Sequence, residues 1–198
     1  MPTLELHPDR AREALEAAGA SIASGNTEYE RWRASLGEAT AVAYDDKVVV
    51  QGGRPADILA VLAPHGGRAH VYFDGASRGN PGPAAIGWVI VTDEGIVDEG
   101  GAFIGEATNN EAEYEAIIRG LEVAADLGFE AVEVRGDSEL IVRQVRGEYD
   151  VNAPHLRERR VRVRELLESF DDWTLEAVPR GVNDRADRLA NEVLDARG

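Results

Sequence analysis

The chain has 198 residues, with 37 acidic and 21 basic side chains, a formal net charge of −16 and no cysteine. That length gives one or two domains enough core to fold without disulfides, and the lack of cysteine is compatible with a reducing compartment. No apolar run approaches the roughly 20 residues that span a bilayer, and the start "MPTLELHPDR" lacks the basic and apolar regions of a signal peptide, so the expectation is a cytoplasmic protein with no membrane partner and no obligatory protein partner.

In chain order, "TLELH" alternates as a short strand, and "PDRAREALEAAGA" has helical spacing, with Pro8 suited to a first turn and Gly19 near the stop. "ATAVAY" and "KVVVQG" flank Asp45-Asp46 as a hairpin, and "PADILAVLA" closes a small α+β domain over residues 1–63. Pro and Gly in "APHGGR" mark residues 64–68 as a linker to a second domain, 69–198. That domain opens with strands at Ala69–Asp74, Ala84–Thr92 and Ile96–Ile104, the first pair joined by the turn-rich Asn80-Pro81-Gly82-Pro83. A helix near Asn110–Leu127, a strand at Ala131–Arg135, a helix from Ser138, a helix at Pro154–Phe170, a strand at Trp173–Val178 and a helix from Asn183 complete it. Three meander strands followed by strand–helix alternation predict an α/β fold with a five-stranded mixed sheet and helices on both faces.

Four carboxylates stand out by placement. Asp74 ends an apolar strand, where aspartate is disfavoured. At about 100° per residue, Glu113 shares a stripe with Asn110, Ile117, Gly120, Leu121 and Ala124, whereas Glu111 and Glu115 point away. An inward carboxylate is costly without a partner, so a compensating cation is expected beside Glu113. Asp137 follows the strand "AVEVRG", and ligand sites in open α/β sheets gather at the carboxyl ends of strands. Asp187 lies at the edge of the apolar stripe Ala186, Leu189, Ala190 and Val193, in line with Asn183. Taken singly, each acid reads more readily as a plain structural residue: Asp74 and Asp137 as helix or turn caps, Glu113 as the partner of a buried arginine, Asp187 as a solvated side chain. Their coincidence in one domain is the signal.

The acidity itself has two readings: repulsion of polyanions, or a surface adapted to molar salt, where the screening length falls to about 3 Å and attraction to phosphate through counterion release is largely lost. The second leaves a nucleic-acid partner open.

At "YFDGASRGNPGPAAIGWVI", "TNNEAEYEAIIRGLEVA", "GDSELIVRQVRGEY" and "NDRADRLANE" the chain resembles the type 1 ribonuclease H family, with the four blocks in family order over nearly all of residues 68–198. The resemblance implies hydrolysis of the RNA strand of RNA–DNA hybrids, leaving 5′-phosphate and 3′-hydroxyl ends. It makes Asp74, Glu113, Asp137 and Asp187 the catalytic ligands of two Mg²⁺ or Mn²⁺ ions, hard cations suited to oxygen donors. Asp74 is the expected bridge, with Glu113 and Asp137 on one ion and Asp187 on the other. It puts substrate contacts on Gly75, Asn80, Thr108, Asn109, Asn110 and Ser138, with Asn109 toward the DNA strand; the asparagines read equally as turn and N-cap residues. A nuclease that also cuts double-stranded RNA, and a hybrid-binding module without catalysis, are the alternatives. Four acids kept together speak against the latter.

The chain departs from the family in places. The loop "VPRGVND" has no histidine and offers only Arg180 near the site. His155 reads as structural or exposed, and no basic handle helix is present, the arginines of "LRERRVRVRE" being a substitute that alternates with acids. Glu139 stands where many relatives have glutamine. Ahead of the linker, "YERWRASLGEATAVAYDDKVVVQG" resembles the TBP-like substrate-binding domain of type 3 ribonucleases H. Alternation there sets Trp32, Ala34 and Leu36 on one face and leaves Tyr29, Arg31 and Arg33 for a nucleic-acid face; a plain packing domain fits the same pattern.

Overall fold

The computed structural model describes residues 2–4, 6–63 and 65–197, so Glu5 of the expected first strand and Pro64 of the expected linker lie outside the described residues, as do Met1 and Gly198. The chain separates into two units, Met1–Gly66 with Asp126–Gly128, and Gly67–Ala125 with Phe129–Gly198. Among the described residues no helix is long and apolar enough to cross a membrane.

The first unit contains β1 (Thr3–Leu4), α1 (Pro8–Ala17), β2 (Ser21–Ser24), β3 (Trp32–Leu36), β4 (Ala39–Ala43), β5 (Val48–Gly52) and α2 (Pro55–Leu62). Its sheet runs β1-β5-β4-β3-β2 and is antiparallel throughout. Alternation decides which side is buried: Trp32, Ala34, Ala41, Ala43, Val48 and Val50 pack against Leu15 of α1 and Ile58 of α2. Both helices carry proline in the first turn, where its missing N–H costs nothing. Tyr44 closes the Asp45-Asp46 hairpin by donating its backbone N–H to the Lys47 carbonyl at 2.8 Å. β2 was not expected, since "SIAS" is short and only weakly apolar; its register with β3, Ile22 opposite Ala34, makes it a strand.

In the second unit, β6 (Arg68–Ser77), β7 (Gly82–Thr92) and β8 (Gly95–Ala107) form the antiparallel meander. β9 (Ala131–Gly136) then joins the far side of β6 in parallel, and β10 (Asp172–Ala177) joins β9, giving the order β10-β9-β6-β7-β8. Parallel neighbours need a crossover; α3 (Asn109–Asp126) supplies it before β9, and α4 (Glu139–Arg146) and α5 (Pro154–Glu168) before β10. α6 (Asp184–Asp195) ends the fold.

Glycines show how closely the helices lie on the sheet. A Cβ on Gly75 of β6 would stand 2.2 Å from the Ala112 carbonyl carbon of α3, and one on Gly87 of β7 would stand 2.2 Å from the Ala186 carbonyl oxygen of α6. The mixed sheet therefore has a helix on each face, as the sequence predicts. Ile117 and Leu121 of α3 are fully buried, each contributing about 1.5–3 kcal/mol through burial.

One boundary matters for the site. β6 does not end at Asp74 but runs on to Ser77, paired with β7 from His70 to Ser77, whereas its parallel pairing with β9 stops at Tyr72–Arg135. Asp74 is thus interior to one ladder and beyond the end of the other.

Candidate active site

Where β6 and β9 cease to pair, the two strands open a gap at their carboxyl ends. Asp74 sits there on β6, Asp137 follows Gly136 at the end of β9, and Glu113 enters from the first turns of α3. The three offer one carboxylate oxygen each within 4.8 Å of one another. Gly75 makes this possible, because its missing side chain lets Ala112 and Glu113 lie on β6, where its backbone N–H favours the charged form of the Glu113 carboxylate.

Electrostatics mark the cluster as strained. Burial, then the charges of Asp137 and Asp187, push Asp74 up to about 8, with Arg180 pulling the other way. Burial, then Asp74 and Asp137, hold Glu113 well above the usual carboxylate range. Glu113 Oε2 is buried with no hydrogen-bond partner among the described residues. The cation expected beside Glu113 is not a side chain of this protein: its charged neighbours are acids, and no arginine or lysine pairs with it among the described residues. Burying charge without a partner is costly, and an all-oxygen donor set of this kind fits a hard divalent cation.

Asp187 lies outside the trio but close enough that its charge raises both Asp74 and Glu113. It is carried on the first turn of α6 and meets Arg180, whose Nη2 is 3.3 Å from Asp187 Oδ1 and whose Nε is 4.0 Å from Asp137 Oδ2. Arg180 belongs to a 3₁₀ turn, Arg180–Val182, ahead of α6. The sequence puts it near the site; its position between two of the acids comes from the fold.

The remaining expected site residues mostly have hydrogen bonds of their own. Thr108 forms a capping box with Glu111: its backbone N–H and hydroxyl reach Glu111 Oε2 at 2.8 and 2.9 Å, and the Glu111 N–H returns to Thr108 Oγ1 at 3.2 Å. The N-cap role thus belongs to Thr108, not to the asparagines. Asn80 Oδ1 accepts the Asn109 N–H at 3.1 Å, and Asn109 Oδ1 accepts the Ser77 N–H at 3.1 Å, tying the β6–β7 turn to α3. Asn110 is partly exposed in the same first turn. Ser138 is the N-cap of α4, its Oγ accepting the Ile141 N–H at 3.5 Å.

Glu111 and Glu115, which the helix phase turns away from the site, face α5: Arg159 Nε bonds Glu115 at 2.7 Å, and His155 and Arg159 lie 3.6 and 3.8 Å from Glu111. Arg157 is spent on the Val151 and Asn152 carbonyls and Arg162 on Glu122. Most of the arginines proposed as a substitute handle therefore hold α5 in place. In the first unit, Trp32 and Ala34 are buried as alternation requires. Tyr29 is 74% exposed and precedes β3, Arg31 stands 3.8 Å from Asp9 and 3.9 Å from Asp45, and Arg33 is paired with Glu30 at 2.9 Å. Sequence reasoning missed the side-chain role of Asn183, whose only signal was its position four residues ahead of Asp187.

The mixed sheet, its flanking helices and the carboxylates at the ends of its parallel strands define a protein of the ribonuclease H fold. A family model described as reverse transcriptase-like matches residues 72–193. Ribonuclease HI of Halobacterium salinarum is 61% identical over 197 residues, 98% of this chain and 99% of that protein. The crystal structure of RNase H1 from the same halophilic archaeon is 62% identical and covers 65% of this chain and 98% of its own, with a TM-score of 0.64. LC11-RNase H1, solved in complex with an RNA/DNA hybrid, is 44% identical over 65% of this chain and 98% of its own, with a TM-score of 0.61. The chain belongs to the ribonuclease HI family.

Proposed function

We propose that this protein is an endonuclease that hydrolyses the RNA strand of RNA–DNA hybrids, leaving 5′-phosphate and 3′-hydroxyl ends. The observation that carries the reading is the trio Asp74, Glu113 and Asp137, drawn within 4.8 Å of one another with no side-chain cation on Glu113 among the described residues. A chain has no stabilising reason to hold repelling carboxylates together, whereas a cation-dependent hydrolase needs them.

Asp74, Glu113, Asp137 and Asp187 would hold divalent cations, Mg²⁺ or Mn²⁺, with Asp74 as the shared ligand. Bound there, two such ions supply an acidified water and neutralise charge on the phosphodiester and the leaving oxygen. The protein's own contribution is positioning. β6 and β9 hold Asp74 and Asp137 on rigid backbone, and α3 brings Glu113 against Gly75. Arg180, 78% exposed and beside Asp137 and Asp187, offers a guanidinium to a phosphate oxygen. RNA differs from DNA by the 2′-hydroxyl, read in a wide, shallow minor groove; Gly75, Asn80, Asn110 and Ser138 would make those contacts, with Asn109 toward the DNA strand and Thr108 a further substrate contact. Tyr29, Arg31 and Arg33 are the proposed hybrid contacts of residues 1–63, taken as an accessory domain joined through 64–68 to a catalytic domain, 69–198. The protein is read as cytoplasmic and adapted to high salt, in line with its charge of −16 and with a Halobacterium relative.

The test is incubation of a labelled RNA–DNA hybrid, duplex RNA and duplex DNA with Mg²⁺ or Mn²⁺ across a salt series, alongside Asp74→Asn. Only the hybrid should be cut, and only by the unaltered protein. Cleavage of duplex DNA would sink the substrate assignment, and equal cleavage by the variant would sink the ligand assignment.

A further inference from the structure

Asparagine ahead of a helix ordinarily caps it, its side-chain oxygen accepting an N–H of the first turn. Asn183 stands at that position for α6 and makes no such bond. It is 1% exposed, and its Nδ2 donates instead to the Phe73 carbonyl of β6 at 2.8 Å. Its Oδ1 has no partner among the described residues. An unpaired buried acceptor is a cost, so the side chain is held in place by its donor, not by a cap.

What the donor reaches is the backbone immediately ahead of Asp74. The parallel ladder to β9 ends one residue earlier, at Tyr72, so β6 loses its neighbour on that side where the site begins. The backbone of Asn183 is engaged as well. Its carbonyl accepts the Asp187 N–H at 3.1 Å, and its N–H donates to the Arg180 carbonyl at 2.9 Å.

We propose that Asn183 is a positioning residue: its three hydrogen bonds lock the strand segment before Asp74, the helical turn that carries Asp187 and the 3₁₀ turn that carries Arg180 into one geometry. The proposal rests on the reading of Asp74 and Asp187 as cation ligands. Residues that hold ligands, without touching the ion, typically change metal affinity or activity by 10- to 100-fold when lost.

The test uses the full chain with Asn183→Ser and Asn183→Ala. Serine supplies a hydroxyl able to cap α6 while being too short to replace the amide at Phe73, so it separates capping from positioning. Three readouts are taken in molar salt at a temperature where circular dichroism shows the variants folded: calorimetric titration with Mn²⁺ alone, kcat and KM on an RNA–DNA hybrid, and the metal-free melting temperature. The expected result for both variants is Mn²⁺ affinity and kcat lowered roughly 10- to 100-fold, with KM for the hybrid unchanged. Asn183→Ser should also melt within a few degrees of the wild type. A variant that fails to fold, or melts lower yet binds Mn²⁺ and turns over as the wild type does, assigns Asn183 a purely structural role and overturns the inference. Wild-type protein that binds Mn²⁺ but leaves the hybrid uncut would sink the proposed function alone, because the calorimetric comparison stands apart from cleavage. Wild-type protein that binds no Mn²⁺ would sink the ligand reading and this inference with it.

Discussion

Arg180 Nη2 stands 3.3 Å from Asp187 Oδ1, so a cation of the chain itself is bonded to the acid that lies outside the trio. In the metal-free protein this guanidinium offsets part of the repulsion among the carboxylates. On the proposed ligand set it would compete with an incoming ion for Asp187.

Arg180→Ala should therefore lower the Mg²⁺ concentration needed for half-saturation by roughly two- to fivefold, the scale of an exposed ion pair. Hybrid binding at saturating Mg²⁺ should weaken, because a phosphate contact is lost. Mn²⁺ calorimetry and cleavage kinetics over a Mg²⁺ series check the two arms separately; unchanged metal affinity would remove Arg180 from the site's electrostatics.

Asp74→Asn should stabilise the metal-free protein while abolishing its response to metal. Burial and the neighbouring Asp137 and Asp187 make the Asp74 charge unfavourable, so neutralising it removes repulsion. For a chain of this size the melting temperature rises by roughly 2–4 °C for each kcal/mol gained. Cleavage should fall by at least about 100-fold, the upper range seen for residues that merely support a ligand. Calorimetric melting with chelator and with Mg²⁺ tests this, and a lower metal-free melting temperature would contradict it.

Gly75→Ala addresses the approach of α3 to β6. The new Cβ would meet backbone atoms at 2.2 and 2.3 Å, which no rotamer change relieves, so helix and strand must separate. Overpacking of this kind costs about 1–3 kcal/mol or more, and Glu113 should be displaced with it. Urea denaturation and cleavage assays are the measurements; a variant as stable and active as the wild type would show that the contact is not needed.

Thr108→Ala separates the two roles of Thr108. Loss of the capping box should destabilise by about 1 kcal/mol, visible in urea denaturation. If Thr108 also contacts substrate, KM for the hybrid rises while kcat holds; a change in stability alone would leave it a helix cap.

Deletion of residues 1–63 tests the accessory-domain reading. Hybrid KM in molar salt should rise severalfold, as expected when phosphate and groove contacts are removed. An unchanged KM would reduce that unit to packing.

Much of the fold is legible in the sequence because period decides burial. Alternation in Trp32, Ala34 and Val48, Val50 and the stripe Ile117, Gly120, Leu121 and Ala124 are the faces that pack. β2 and the last residues of β6 are not legible in this way, since "SIAS" and "GAS" take strand geometry only from a hydrogen-bonding neighbour. The acids divide similarly.

By itself the sequence determined the order of the second unit's strands and helices, the inward phase of Glu113 and the places of Asp137 after its strand and Asp187 in the first turn of its helix, because these follow from local periodicity; Asp74, expected at a strand's end, lies inside β6. Only the tertiary structure decided that Asp74, Glu113 and Asp137 meet within 4.8 Å while Asp187 turns to Arg180. It likewise decided that Asn183 bonds Phe73 across 110 positions rather than capping α6. Those relations depend on where a parallel ladder ends and how closely a glycine lets a helix approach, and the spacing of residues along the chain carries no information about either.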